Sequence, residues 1–459
     1  MKRSPERSPR AQALFALSSV AFLVAGLVWL DDVGPRPPDP VAGPGSAPSG
    51  AWLCPHGGGS GLTVALSLAN PGEDPVTARV THLGSGPPSA PEEVEVPAGG
   101  TVRSDVAPED RGAATYVEFF GGWLAAGWML TTEEGVAAEP CAADASREWL
   151  LADGTTQLAE EAYTIVTNPF SGPAVLDVVL YTADRPPVRH SDWTGVLLPA
   201  RRSLALHLND RLKGEPVVAV AIEATAGRVA AASLGVSDGT HVRSTLGWLG
   251  PSAGAILPTM QGSGQTELLV LSTADASIRF GVTALTEGQP RPAGGLTEQE
   301  HGPDAARVYA VPVDPGPTAL DVFSDDAQLA AALRALGPGE DLGATAGAVS
   351  SANAWILLPA SVGADASPGG VLVNGGEGEI VATIELLPPQ GGPAAAPATV
   401  TVPPHGTAAV PSELWEASPD AALLVRAEGG PLVALTAATS PQAADAFALS
   451  LGVPLPHEP

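Results

Sequence analysis

The sequence predicts an all-β protein: an N-terminal transmembrane helix followed by about four tandem immunoglobulin-like β-sandwich units. Three observations carry that expectation: abundant turn residues, apolar residues alternating with period two between turns, and an internal repeat of about one hundred residues. The 53 glycines and 47 prolines among 459 residues are nearly twice the ordinary share, which suits short strands and many turns. Hydrophobic residues make up 44%, too many for a disordered acidic chain and enough for several cores. The 22 basic residues against 50 acidic ones leave a net charge of −28. That excludes nucleic acid as a partner, because duplex binding needs a basic face.

The first thirty residues set the expected compartment. Residues 1–10 carry Lys2, Arg3, Arg7 and Arg10 against Glu6 and read as a basic cytoplasmic tail. Residues 11–30 contain no charge and as a helix would span about 30 Å, the thickness of a bilayer's hydrocarbon core. Asp31 and Asp32 follow at once, so the positive-inside rule predicts a single-pass cell-membrane protein with a cytoplasmic N-terminus and an extracytoplasmic bulk. The competing reading is a cleaved signal and a secreted product. Against it, the apolar run is long and closes on Trp29 and Leu30 rather than on small residues. Residues 31–50, rich in Pro, Gly, Ala and Ser, read as an extended tether.

Four markers then recur in a fixed order. An apolar opening comes first, in Trp52-Leu53-Cys54-Pro55, Trp149-Leu150-Leu151, Ile256-Leu257-Pro258 and Trp355-Ile356-Leu357. A strand running into a turn comes second, ending in Asn70-Pro71, Asn168-Pro169 and Asn374-Gly375, with the segment Leu268 to Ala276 in the third copy. Next is an apolar-Pro pair: Val96-Pro97, Leu198-Pro199, Val311-Pro312 and Val402-Pro403. A small-residue strand closes each copy, as in Leu124-Ala125-Ala126, Val229-Ala230-Ala231, Leu329-Ala330-Ala331 and Leu432-Val433-Ala434. The expected units are residues 51–145, 146–250, 251–350 and 351–459, the third being degenerate. In that third copy, residues 326–336 suit a short helix by propensity as well as a strand.

Cys54 and Cys141 are the only cysteines, and an even count outside the cytoplasm favours a disulfide worth roughly 4 kcal/mol at most. Two buried free thiols are the alternative. A metal site is disfavoured, since no His or further Cys lies at ligand spacing.

The run from Trp149 through Gly154-Thr155-Thr156, Asn168-Pro169-Phe170, Leu198-Pro199-Ala200 and Gly227-Arg228-Val229-Ala230 resembles an uncharacterised family of exported proteins from high-GC Gram-positive bacteria. Trp52-Leu53-Cys54-Pro55 and Pro140-Cys141 match that family's paired cysteines. The resemblance implies an anchored or secreted β-rich protein and supplies no catalytic residue.

Motifs for chemistry are sparse. Gly235-Val236-Ser237-Asp238-Gly239 has the spacing of a nucleophile elbow, but residues 240–251 carry no helical stripe, and His241 is too near in sequence for a triad. It reads as a turn. The eight histidines form no zinc-binding pair, the acids Asp325 and Asp326 lack a calcium-loop pattern, and no cofactor fingerprint appears. Trp52, Trp149 and Trp355 recur with the repeat and read as packing residues, while Trp123 and Trp128 are expected on opposite faces of a closing strand. Trp193, Trp248 and Trp415 fall outside the repeat and are the candidates for stacking on a sugar ring.

The expected function is therefore non-enzymatic, with no catalytic residue, metal or cofactor: an envelope spacer or protein-interaction module. The alternatives are a cell-wall glycan-binding accessory protein and, behind it, a secreted hydrolase. Expected partners are the lipid bilayer through residues 11–30 and an envelope protein or cell-wall glycan.

Overall fold

The computed structural model describes residues 49–108, 110–261, 265–337, 342–360, 367–392, 395–416, 418–440 and 446–456. The expected cytoplasmic tail, the membrane segment 11–30 and nearly all of the tether lie outside the described residues. Among the described residues, no helix is long and apolar enough to cross a membrane.

The described chain is all-β, with helical turns no longer than Glu413–Glu416. The first repeat sets the pattern. Its strands are β1 (Ser49–Cys54), β2 (Thr63–Asn70), β3 (Val76–Leu83), β4 (Glu92–Val96), β5 (Gly100–Val106), β6 (Ala114–Phe120), β7 (Ala125–Thr131) and β8 (Val136–Pro140). One sheet has the order β1-β6-β3-β4 and the other β5-β2-β7-β8. Both are antiparallel, and their inward side chains share a core of Val64, Leu66, Val80, Val117 and Leu130. The same two orders recur in the three later repeats, with the β4 position split into two short strands in the second and third and a terminal strand, Val453–Pro454, added in the fourth.

Two sequence markers of the repeat prove to be one interaction. The buried Asn168 side chain donates from Nδ2 to the carbonyls of Gly172, Leu198 and Pro199, at 2.9, 3.2 and 3.1 Å, and accepts from the Phe170 N–H at 3.0 Å. Asn70 makes the equivalent four bonds to Asp74, Val96, Pro97 and Gly72. Asn374 repeats the pattern with Gly378, Val402 and Gly376. The Asn therefore closes its own turn and pins the apolar-Pro loop beside it, satisfying backbone groups that no ladder reaches.

The opening tryptophans form a second recurring contact. The indole N–H groups of Trp52, Trp149 and Trp355 donate to the carbonyls of Leu124, Val229 and Leu432, at 2.6, 2.6 and 2.8 Å. Each bond ties the first strand of one sheet to the start of the small-residue strand in the other.

The third repeat departs from the sequence markers. Its register places Ala255 where the other copies have Trp, because Ala255 faces Val322 as Trp52 faces Val117. Ser272 stands in the Asn position, its hydroxyl accepting from the Ala274 N–H at 3.3 Å. The apolar-Pro position is held by His301-Gly302, four residues before Ala305, the partner of Ser272. Val311-Pro312 instead ends the strand Ala305–Pro312, which corrects the expected marker. Buried His301 binds Tyr309 Oη and the Ala305 carbonyl, both at 3.0 Å, and so supplies locally what the short Ser272 cannot. Residues 329–336 are strand rather than helix, paired on both sides by Gln265–Ser272 and Leu342–Thr345. Tertiary pairing overrides the helix propensity of its alanines and leucines.

The four repeats close into a ring. The innermost strands are β8, His241–Leu246, Leu342–Thr345 and Ala446–Leu451, and each packs against the next, with the last packing back on β8. Thr101 joins the first repeat to the fourth. Its hydroxyl donates to the Leu387 carbonyl at 2.8 Å and accepts from the Ala422 N–H at 3.1 Å, while its N–H reaches Pro388 at 3.0 Å. Between the second and third repeats, buried Arg334 pairs with buried Asp153 at 2.5 Å, while within the second, buried Arg243 pairs with Glu160 at 2.9 Å.

Asn168→Ala should strand several buried carbonyls and one N–H, costing about 2 kcal/mol. A lowered urea midpoint with a native ring by solution scattering is the expected result; an unchanged midpoint would show that the Asn pins nothing.

Candidate functional site

After each innermost strand the chain crosses to the opening strand of its own repeat. Ala142 bridges Leu53, Trp248 bridges Leu150, Ala348 bridges Ile256 and Val453 pairs with Ile356. These crossings surround the ring axis and line a cavity of about 510 Å³. Three of them pass through glycine, at Gly247, Gly347 and Gly452. At Gly247 and Gly452 a Cβ would sit 2.9 and 3.0 Å from the rings of Trp149 and Trp355. In the first repeat Cys141 takes that place and is disulfide-bonded to Cys54 of β1, so the bond ties the two sheets together at the cavity wall.

The cavity wall is mostly apolar, with Trp52, Trp149, Trp248, Trp355, Leu246 and Leu451 contributing. Leu249 and Val349 stand at its mouth, 52% and 57% exposed, where isolated aliphatic side chains gain nothing from folding. Among the described residues two acids line it, Glu139 and the exposed Asp144, and no basic residue does.

Glu139 is the unusual member. It is the penultimate residue of β8, paired with Trp128, and only 2% exposed. The equivalent positions of the other innermost strands hold Thr245, Thr345 and Ser450, all buried. Burial pushes the Glu139 carboxyl well above the ordinary carboxylate range. Backbone hydrogen bonds from Leu246 and Ala346 pull the other way, and the nearby Asp153 charge adds to the rise. Its Oε1 has no hydrogen-bond partner among the described residues. A buried carboxyl with a free oxygen beside an apolar cavity can hold a proton, donate it, or ionise against a cation.

A second hollow of about 750 Å³ lies between the first two repeats, with Arg111, Glu160, Glu161, His207 and Lys213 on its walls. Its groups largely satisfy one another. Tyr163 donates to Glu161 at 2.8 Å and stacks on His207 at 4.6 Å, and Arg243 holds Glu160. Ser237 is here too. It ends the strand Ala230–Ser237, turns through Asp238 and Gly239, both with positive φ, into His241–Leu246, and donates to Glu160. The motif is a β-hairpin, and the partner of its serine is a carboxylate on a strand.

The three tryptophans singled out for sugar stacking are all buried. Trp415 is 0% exposed, with its N–H on the Ala421 carbonyl. Trp193 lies under Arg211, 5.4 Å from its guanidinium. Trp248 donates to the Ala346 carbonyl at 2.8 Å and presents its remaining edge to the axial cavity. None offers the open face that a sugar platform requires. Trp128 is buried, while Trp123 precedes β7 rather than lying on it and packs edge-on to Trp52. Asp325 and Asp326 are exposed, and among the described residues no group of three His, Cys, Asp or Glu side chains is placed to hold a metal ion. Sequence reasoning missed Glu139, because one Glu in an alternating strand reads as a solvated residue; the signal was its place in Val136-Ala137-Ala138-Glu139-Pro140, where its repeat partners are hydroxyls.

The raised Glu139 carboxyl sets a sign for stability against pH. Its folded pKa exceeds the unfolded value of 4.5, so the folded state retains a proton that the unfolded state has lost, and stability falls as pH climbs above about 4.5. Urea midpoints of Glu139→Gln should lack this decline, leaving the variant increasingly more stable than the parent toward neutral pH. Parallel curves for the two proteins would remove Glu139 as a titrating core group.

Residues 121–354, just over half of the chain, match the model of a family of unknown function (DUF5719). The match begins before β7, spans the second and third repeats and ends at the opening strand of the fourth. No curated protein matches the chain.

Proposed function

The chain belongs to a family of unknown function (DUF5719), which brings no activity with it, and from the site itself we propose a non-enzymatic, membrane-anchored extracytoplasmic binding module. In this reading four immunoglobulin-like sandwiches, closed into a ring, hold the axial cavity toward a partner in the envelope, with residues 11–30 in the bilayer. One observation carries the proposal: four repeats converge on a cavity with apolar walls, exposed aliphatic residues at its mouth and a carboxyl oxygen without a partner. Ring closure also speaks against the spacer alternative, since repeats closed on themselves reach less far than the same repeats strung end to end. The glycan alternative lacks an open aromatic face, and the hydrolase alternative needs a histidine to activate Ser237, whose hydroxyl instead donates to Glu160.

The test uses immobilised full-length protein, envelope-protein extract and purified cell-wall polysaccharide, with the paired variant Leu249→Arg/Val349→Arg. Saturable retention from the protein extract, weakened at least tenfold in the variant at an unchanged thermal midpoint, is expected. Retention indifferent to the mouth substitutions would move the binding surface elsewhere, and retention of polysaccharide alone would replace this reading with the glycan one.

A further inference from the structure

Resting on the reading of the axial cavity as a binding site, we infer that its ligand carries an organic ammonium group on a compact apolar body, with the ammonium seated against Glu139. Among the described residues the charge on the cavity lining is of one sign: Glu139 and the exposed Asp144 line it, and no Arg, Lys or His does. The neighbours of Glu139 do not neutralise it. From the adjacent innermost strands come Thr245, Thr345 and Ser450, which are uncharged, and the charged group that acts on it is Asp153, of like sign. The buried arginines of the described residues are already engaged, Arg334 with Asp153 and Glu267, and Arg243 with Glu160 and Asp153. Beyond the backbone N–H groups of Leu246 and Ala346, the described residues bring no donor to this carboxyl, and Oε1 has no hydrogen-bond partner among them. A donor brought by a ligand removes that deficit, and a cationic donor does so with the stronger, charge-assisted bond.

The apolar requirement comes from the rest of the lining. About 510 Å³ lies within the range of small-molecule sites, and the Trp, Leu and Val side chains around it offer a hydrocarbon body burial rather than hydrogen bonds. With no cation beside it, burial holds the carboxyl's pKa well above the ordinary carboxylate range. When the ammonium arrives, the Glu139 O–H bond breaks, its proton passes to solvent, and an N–H···O contact forms between ammonium and carboxylate. Nothing is oxidised or reduced.

Cyclohexylammonium and cyclohexanol, which share a ring and differ in the charged donor, are the probes for calorimetric titration into the full-length protein. Cyclohexylammonium should bind at one site per chain, at least tenfold tighter than cyclohexanol, and Glu139→Gln should bring it down to the alcohol's level. Leu249→Arg, at the exposed mouth and away from the packed floor, supplies an arm that does not depend on the core variant folding. Its guanidinium should weaken the ammonium at least fivefold more than it weakens the alcohol. Equal affinity for the two probes would overturn the ammonium inference while leaving the cavity as a binding site. Ammonium binding untouched by either variant would assign it to the acidic surface and overturn the inference. Saturable binding of neither probe would overturn both the inference and the cavity reading on which it rests.

Discussion

Closure of the fourth repeat onto the first is the constraint on which the rest of the structure depends. A sheet of the β5-β2-β7-β8 type ends on an exposed strand, and an exposed strand edge invites pairing with another chain. Here each of the four such edges turns toward the axis and packs on the next, so none of the innermost strands is left open. Small residues make that approach possible: Ala137 and Ala138 on β8, Ala344 in the third repeat, and Ala446 and Ala448 in the fourth are all buried. The closure falls on Thr101, whose backbone and hydroxyl exchange bonds with Leu387, Pro388 and Ala422. These partners are nearly three hundred residues or more away in the chain, so loop-closure entropy opposes the contact and the buried ring must outweigh it.

Much of each repeat was legible in the sequence, because its signals are local. Asn-Pro turns, apolar-Pro pairs and Trp openings sit within tens of residues of their partners, and the bonds from Asn70, Asn168 and Asn374 explain why the markers travel together. Legibility failed where one repeat solved the same problem with other residues. Ser272 and His301 replace an Asn and an aliphatic residue, and the spacing rule then fastened on Val311-Pro312, a pair of the right type in the wrong strand. The alanine-rich segment at 329–336 failed differently: its composition fits both periods, and the two neighbouring strands decide the outcome.

The axial site was not legible at all, for a physical reason. Its wall is assembled from four crossings spaced a hundred residues apart, each contributing a few residues of no distinctive type. A cavity on a symmetry axis has no motif, because repetition rather than any one segment creates it. The tryptophans outside the repeat drew attention as recognition residues, and burial explains why they are there instead. Trp248 takes its N–H to the third repeat, the one copy whose opening strand carries Ala255 in place of Trp, so it contributes an indole to the core that this repeat lacks by itself.

The same repetition turns Glu139 from a curiosity into an argument. Four equivalent places around the axis carry Glu139, Thr245, Thr345 and Ser450. A hydroxyl suffices in three of them, burying a polar group at the modest cost of one hydrogen bond. The fourth carries a carboxyl whose ionised form is disfavoured by burial and by Asp153, and whose Oε1 stays without a donor. Packing alone gives no reason for that choice, since a hydroxyl of smaller volume fits the neighbouring copies. A group that weakens the folded state and remains unsatisfied on the wall of an apolar cavity is accounted for when a ligand completes it.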